Sequence, residues 1–225
     1  MSAEFWAAID GAIVGSLSAG VITWLLQRNQ DRRQSHDRNT GLARSLIFKL
    51  VRMYSDLAGF KNHITEGEAN AKQNNLKLGW QSLRAIGNLP ERVSFSPEEM
   101  GYLLSLGNDD LFNKVLSLDV VHSSTIGIFE LYKERRLALT DSLAASKMEG
   151  TVGTSELNEA EMAFFAPKFA ELDLLVTDMK SRAEVDAKEC RTALEETAIA
   201  ARKTLGPTFS IALDKPRLSY CDPSK

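Results

Sequence analysis

The chain has 225 residues, 44% of them apolar and 25% charged, with a formal net charge of −3. These are ordinary globular values, and two cysteines without a spacing motif exclude a disulfide-built scaffold. The small net charge hides an asymmetry: residues 28–52 are basic, whereas residues 149–196 carry twelve acids against five bases.

Residues 5–26 read FWAAIDGAIVGSLSAGVITWLL. A bilayer core of about 30 Å is crossed by roughly 20 apolar residues in a helix. This run has that length, with Asp10 its one charge and Trp6 and Trp24 near its ends. A cleaved signal peptide would want basic residues before the run, but Glu4 is the only charged side chain there, and no convincing cleavage site follows. A buried or interfacial helix is the other rival. The run reads best as an uncleaved anchor. Arg28, Arg32, Arg33, Arg38, Arg44 and Lys49 follow it, and no Lys or Arg precedes it. The positive-inside rule then puts residues 1–4 outside as a short tail and the body in the cytoplasm, as a single-pass protein of the cell (inner) membrane. Arg28, Arg32, Arg33 and Arg38 stand where anionic lipid would attract them, although setting topology alone accounts for them as well.

The run has a second pattern. Gly11, Gly15 and Ala19 recur every four residues, and Ala8, Ala12, Ser16 and Gly20 form a neighbouring row. Rows of small residues let helix backbones approach in lipid, which marks a candidate homo-oligomer surface; small residues are also simply common in membrane helices. Asp10 lies about one and a half turns into the run, where outer headgroups can solvate it. Inside an oligomer it would be a polar contact or a pore lining.

Residues 27–41 are polar and free of Pro, which predicts a basic helical stalk continuing the anchor helix. A bundle domain is expected over residues 42–206. Leu42, Leu46, Ile47, Leu50, Val51, Tyr54, Leu57 and Ile64 recur in steps of three and four and predict an amphipathic helix ending near Glu66 and Gly67. A second helix is expected over 68–88, on Leu76, Trp80, Leu83 and Ile86, stopped by Asn88, Leu89 and Pro90. Ser96, Pro97, Glu98 and Glu99 form a capping-box signal for a helix ending at Gly107. Asn108 or Asp109 should cap a helix reaching about Ala145, apolar on most sides and hence central, with a polar end projecting past Tyr132. Residues 147–155 read as a flexible loop. The last helix should run from about Glu156 to about Leu205, with Pro167 as a kink or a fresh start. Its stripe is Leu172, Val176, Met179, Ala183, Cys190, Ala193, Leu194 and Ala198, with Asp186 falling on it. That is weak as a coiled-coil seam and better as an antiparallel partner of the preceding helix. Residues 207–225 read as an extended or disordered tail. The expected fold is therefore all-α, a single transmembrane helix followed by a cytoplasmic helical bundle with two long antiparallel helices.

Chemistry is harder to find. No G-x-S-x-G, P-loop or G-x-G-x-x-G occurs, so no catalytic residue and no cofactor is expected. The three histidines are scattered, and His122, on an apolar helical face, reads as a satisfied core residue. No metal-ligand spacing is present; acids on the last helix, such as Glu184 with Lys188, read as surface i,i+4 ion pairs. The basic cluster lacks interleaved aromatics, so no nucleic acid is expected. The layout of the first sixty residues is similar to that of membrane-tethered bacterial proteins, which implies a location and no activity. The leading expectation is a non-enzymatic, membrane-tethered interaction or scaffold protein whose helical domain binds a protein partner or self-associates. The alternatives are an oligomerising pore-forming or membrane-perturbing effector, and an enzyme with an unrecognised helical site.

Overall fold

The computed structural model describes residues 3–143, 147–149, 152–154, 156–207 and 209, without the side chains of 3–22, 25 and 147–154. One helix, α1, runs unbroken from Ala3–Gln73, across both the anchor–stalk and the stalk–bundle boundaries. Every side chain from Leu26 to Arg38 is exposed. Ala43, Leu46, Ile47, Leu50, Met53, Leu57, Phe60 and Ile64 are buried. At about 1.5 Å per residue, some 24 Å of helix separates Leu26 from Leu42.

α1 does not stop at Gly67. That glycine is buried because the Ser82–Leu83 backbone crosses it: a Cβ there would lie 3.1 Å from Leu83 Cδ1 and 3.4 Å from Leu83 Cα. The helix ends six residues later, before Asn75, whose φ of 52° is a left-handed conformation that asparagine tolerates. The expected helix over 68–88 does not form either. Its first residues belong to α1, and only α2, Gly79–Ser82, is helical. Long-range side chains take the place of further turns. Tyr132 Oη and Arg136 Nη1 donate to the carbonyls of Trp80 and Leu83, and the Trp80 N–H donates to Asp173 Oδ1 at 3.1 Å. The run that follows is tied to α1 by Arg52–Glu91 and to the fourth helix by Arg92–Glu130, with Val93 as a buried anchor.

The capping box of α3, Pro97–Ser105, forms as expected: Ser96 Oγ accepts from the Glu99 N–H at 3.2 Å, and the Ser96 N–H donates to Glu99 Oε2 at 2.7 Å. Gly107, at φ 67°, turns the chain into α4, Asp109–Ser142, whose cap is Asn108, accepting from the Leu111 N–H at 3.0 Å. α4 buries one face only; Leu116 and Val120 are 48% and 69% exposed, so it is not apolar-packed on most sides. Its end does not project alone, because Leu139 is buried and Arg135 pairs with Glu171 of the last helix. In place of a featureless loop, β1 (Lys147–Glu149) and β2 (Val152–Thr154) pair as an antiparallel hairpin. α5, Glu159–Leu205, starts at an Asn158–Glu161 capping box and carries Pro167 without a break. Beyond Gly206, Phe209 is buried; the rest of the expected tail, including Cys221, lies outside the described residues.

The bundle therefore has three long helices, not two. Lys61–Glu184 and Lys180–Glu68 make α5 antiparallel to α1. Lys114–Glu196 and Arg135–Glu171 make α5 antiparallel to α4. His122 meets Asp56, and Phe129 stacks on Phe60 at 4.3 Å, so α1 and α4 run parallel. Glu184 thus reaches across to Lys61 rather than along its own helix to Lys188. The described bundle is all-helical apart from the hairpin. Among the described residues no helix is long and apolar enough to cross a membrane. The side chains of residues 5–22, which make up most of the expected anchor, lie outside them.

Candidate functional site

The residues singled out from sequence all fall on α1. Asp10, Gly11, Ala12, Gly15, Ser16, Ala19 and Gly20 sit on its helical backbone, with side chains outside the described residues. Arg28, Arg32, Arg33 and Arg38 follow on the same helix, all exposed. The Arg28 guanidinium lies over the Trp24 ring, 5.2 Å from its centroid. Arg38 comes near enough to the bundle for its charge to help lower the Glu98 carboxyl at the start of α3, an effect smaller than that of the backbone and Ser96 hydrogen bonds to Glu98, whereas the helix carries the earlier positions away.

Inside the bundle, a polar layer draws on all three long helices. His122 of α4 is wholly buried, and its Nε2 lies 3.1 Å from Asp56 Oδ2 of α1. With Asp56 as acceptor, Nε2 carries the proton. Nδ1 of the same ring is buried without a partner among the described residues, so His122 is a half-satisfied core residue there, not the fully satisfied one expected. Thr125 donates to Asp186 Oδ2 of α5 at 3.4 Å, a long contact for a buried carboxylate. Burial pushes the Asp186 carboxyl above its usual range; Arg182 opposes this, while Glu189 and Asp178 add to it. Cys190, one turn on, is fully buried, and burial with the nearby Asp56 charge pushes its thiol up to about 12.

A second polar node joins α1 to α3. Glu99 is 3% exposed and accepts from Ser45 Oγ at 2.6 Å, Lys49 Nζ at 2.7 Å and the Ser96 N–H. Burial pushes its carboxyl up, but these hydrogen bonds outweigh burial and hold it below the ordinary carboxylate range.

The chemistry open to these groups is narrow. A thiol near 12 carries no appreciable thiolate at neutral pH, so Cys190 is no nucleophile. The Asp56–His122 pair is sealed from solvent at the histidine. Among the described residues no group of three His, Cys, Asp or Glu could hold a metal ion. A groove of about 820 Å³ lies between α4 and α5, with Leu118, Val121 and Val185 along it and Lys114, Lys188 and Glu189 beside them. Sequence reasoning missed the role of Asp56, and it found Glu99 only as a capping residue, not as the partner of Lys49. Asp56 stands next to the buried stripe of α1, and Glu99 is at once a capping residue and a partner of a helix fifty positions away. No family model, curated protein or solved structure matches the chain.

Proposed function

We propose that the chain is a single-pass, membrane-tethered interaction protein. Residues 5–26 anchor it, residues 27–41 hold the bundle away from the bilayer, and the three-helix domain on the cytoplasmic side binds a protein partner or a second copy. The observation that carries this reading is the course of α1. One helix of 71 residues takes in the apolar run, passes an Arg-rich segment whose side chains are exposed and ends as a core helix of the bundle. A helix shared in this way couples the anchor mechanically to the domain, since no joint intervenes. In the polar layer the Cys190 thiol and the His122 ring are both fully buried, which favours binding over catalysis.

The reading is tested by extracting membranes that hold the full chain with alkaline carbonate, beside a variant lacking residues 3–26. The full chain should stay in the pellet and the shortened chain should appear in the supernatant, folded. Release of the full chain by carbonate would contradict the anchor. A periplasmic reporter fused after Lys225 should be silent and a cytoplasmic one active; the reverse would overturn the orientation. The pore-forming alternative predicts loss of membrane potential on expression, abolished by Gly15→Leu or Asp10→Ala.

A further inference from the structure

Of the bases on the bundle part of α1, Lys49, Arg52 and Lys61 pair with carboxylates of other elements, Glu99, Glu91 and Glu184, whereas Arg44 and Lys72 are exposed without a salt bridge among the described residues. In the stalk, Arg28, Arg32 and Arg33 are exposed and form no salt bridge among the described residues. Asp31 is the only acid between residues 27 and 36, so the segment keeps a positive excess that the fold leaves uncompensated. Trp24 is 56% exposed at the end of the apolar run, and Arg28 stacks on it one turn later. An exposed tryptophan next to unpaired arginines matches the membrane interface, where an indole sits among headgroups.

We infer that Arg28, Arg32 and Arg33, with Trp24, form a headgroup-binding collar selective for anionic phospholipid. This rests on the reading of residues 5–26 as a membrane anchor. At about 1.5 Å per residue, Arg28 stands roughly 3 Å beyond Leu26, inside a headgroup layer about 6 Å thick, and Arg32 and Arg33 stand roughly 9 and 10 Å beyond it, close enough for their long side chains to reach back into that layer. Arg38 stands about 18 Å beyond Leu26, hence about 12 Å past the headgroups, more than the Debye length of about 8 Å at physiological salt, and lies outside the collar. The guanidinium is suited to this task because its planar fork matches phosphate oxygens bidentately while its face stays on the indole. The collar thus does more than set topology: it enriches the lipid around the anchor in acidic headgroups.

The test uses the full chain carrying Trp6→Phe and Trp80→Phe, so that Trp24 is the only tryptophan. It is reconstituted into vesicles of equimolar phosphatidylglycerol and phosphatidylcholine, with one or the other lipid brominated, and Trp24 quenching is read. Brominated phosphatidylglycerol should quench preferentially. Selectivity should fall about fivefold for each of Arg28→Gln, Arg32→Gln and Arg33→Gln, and hold in Arg38→Gln. Added inorganic phosphate at constant ionic strength should not displace the lipid. Equal quenching by both brominated lipids, or full selectivity in the triple variant, overturns the collar and leaves the anchor standing. No quenching by either lipid, with the protein still helical, overturns both.

Discussion

Asp186 and Glu99 are both buried carboxylates, and the fold treats them oppositely. Asp186 has a single long hydrogen bond from Thr125, and burial raises it. An acid raised in the folded state is disfavoured as an anion, so stability falls as pH rises through its folded value. Asp186→Asn should therefore stabilise the protein at pH 7.5 by on the order of 1 kcal/mol, and the gain should vanish in melts at about pH 2.5, below the unfolded value, where the carboxyl is protonated in both states. Glu99 is held below the ordinary range by three donors that outweigh its burial. Its contribution is complete above the unfolded value and is lost as pH falls through the lowered folded one. Glu99→Ala removes the capping box and leaves Lys49 without its partner, and should cost about 3 kcal/mol in urea denaturation at pH 7. The Ser96 to Glu99 capping box was legible in sequence, because capping is a contact over three residues. The same carboxylate's bond to Lys49, and the Asp56 partner of His122, were not, because each joins residues fifty or more positions apart.

At the scale of elements, α2 and the run after it depend on side chains that other helices lend them. Arg136 and Tyr132 cap the carbonyl end of α2, and Asp173 receives the Trp80 N–H. Arg136→Met should speed amide exchange across residues 79–83 well before global unfolding, while the cores of α1 and α5 keep their protection. Unchanged exchange there would mean that the clamp is not what holds α2. The glycines of α1 supply a paired test. Gly59 has nothing within 4 Å of a Cβ, and Gly59→Ala should stabilise by about 0.8 kcal/mol. Gly67→Ala forces Leu83 aside and should destabilise, although both sit in one helix. This contrast explains why the 68–88 region was misread. Leu76, Trp80, Leu83 and Ile86 have helical spacing, yet the burial of Leu83 comes from its crossing over Gly67. Periodicity records which residues are apolar, not which neighbour covers them. The long helices were legible because each carries many turns of apolar stripe, and α4 also has its Asn108 cap.

For the whole molecule, the expectation of two long antiparallel helices was one helix short. α5 lies antiparallel to both α1 and α4, and its stripe, which looked weak as a two-helix seam, serves two partners. Small residues such as Ala187, Cys190, Ala193 and Ala201 are buried there, which suits close approach in a three-helix core. The consequence is that α1 belongs at once to the core and to the stalk, so no hinge uncouples the bundle from the apolar run. Replacing Asn29 and Gln30 by two glycines should leave the melting temperature of the bundle within about 2 °C, since those side chains are exposed and outside the core, while freeing the domain to reorient against the anchor. Fluorescence anisotropy of a probe on the bundle in reconstituted vesicles would read that change. The claim on which all of this stands is that α1 crosses from lipid to water near residue 26. Nitroxide labels placed singly from residue 5 to residue 38 of the reconstituted full chain test it most directly, through their collision rates with oxygen and with a water-soluble nickel chelate. Oxygen collisions should dominate over 5–26 and chelate collisions from 28 onward, with the crossover beside Trp24. Chelate access throughout 5–26 would contradict the anchor and the reading built on it.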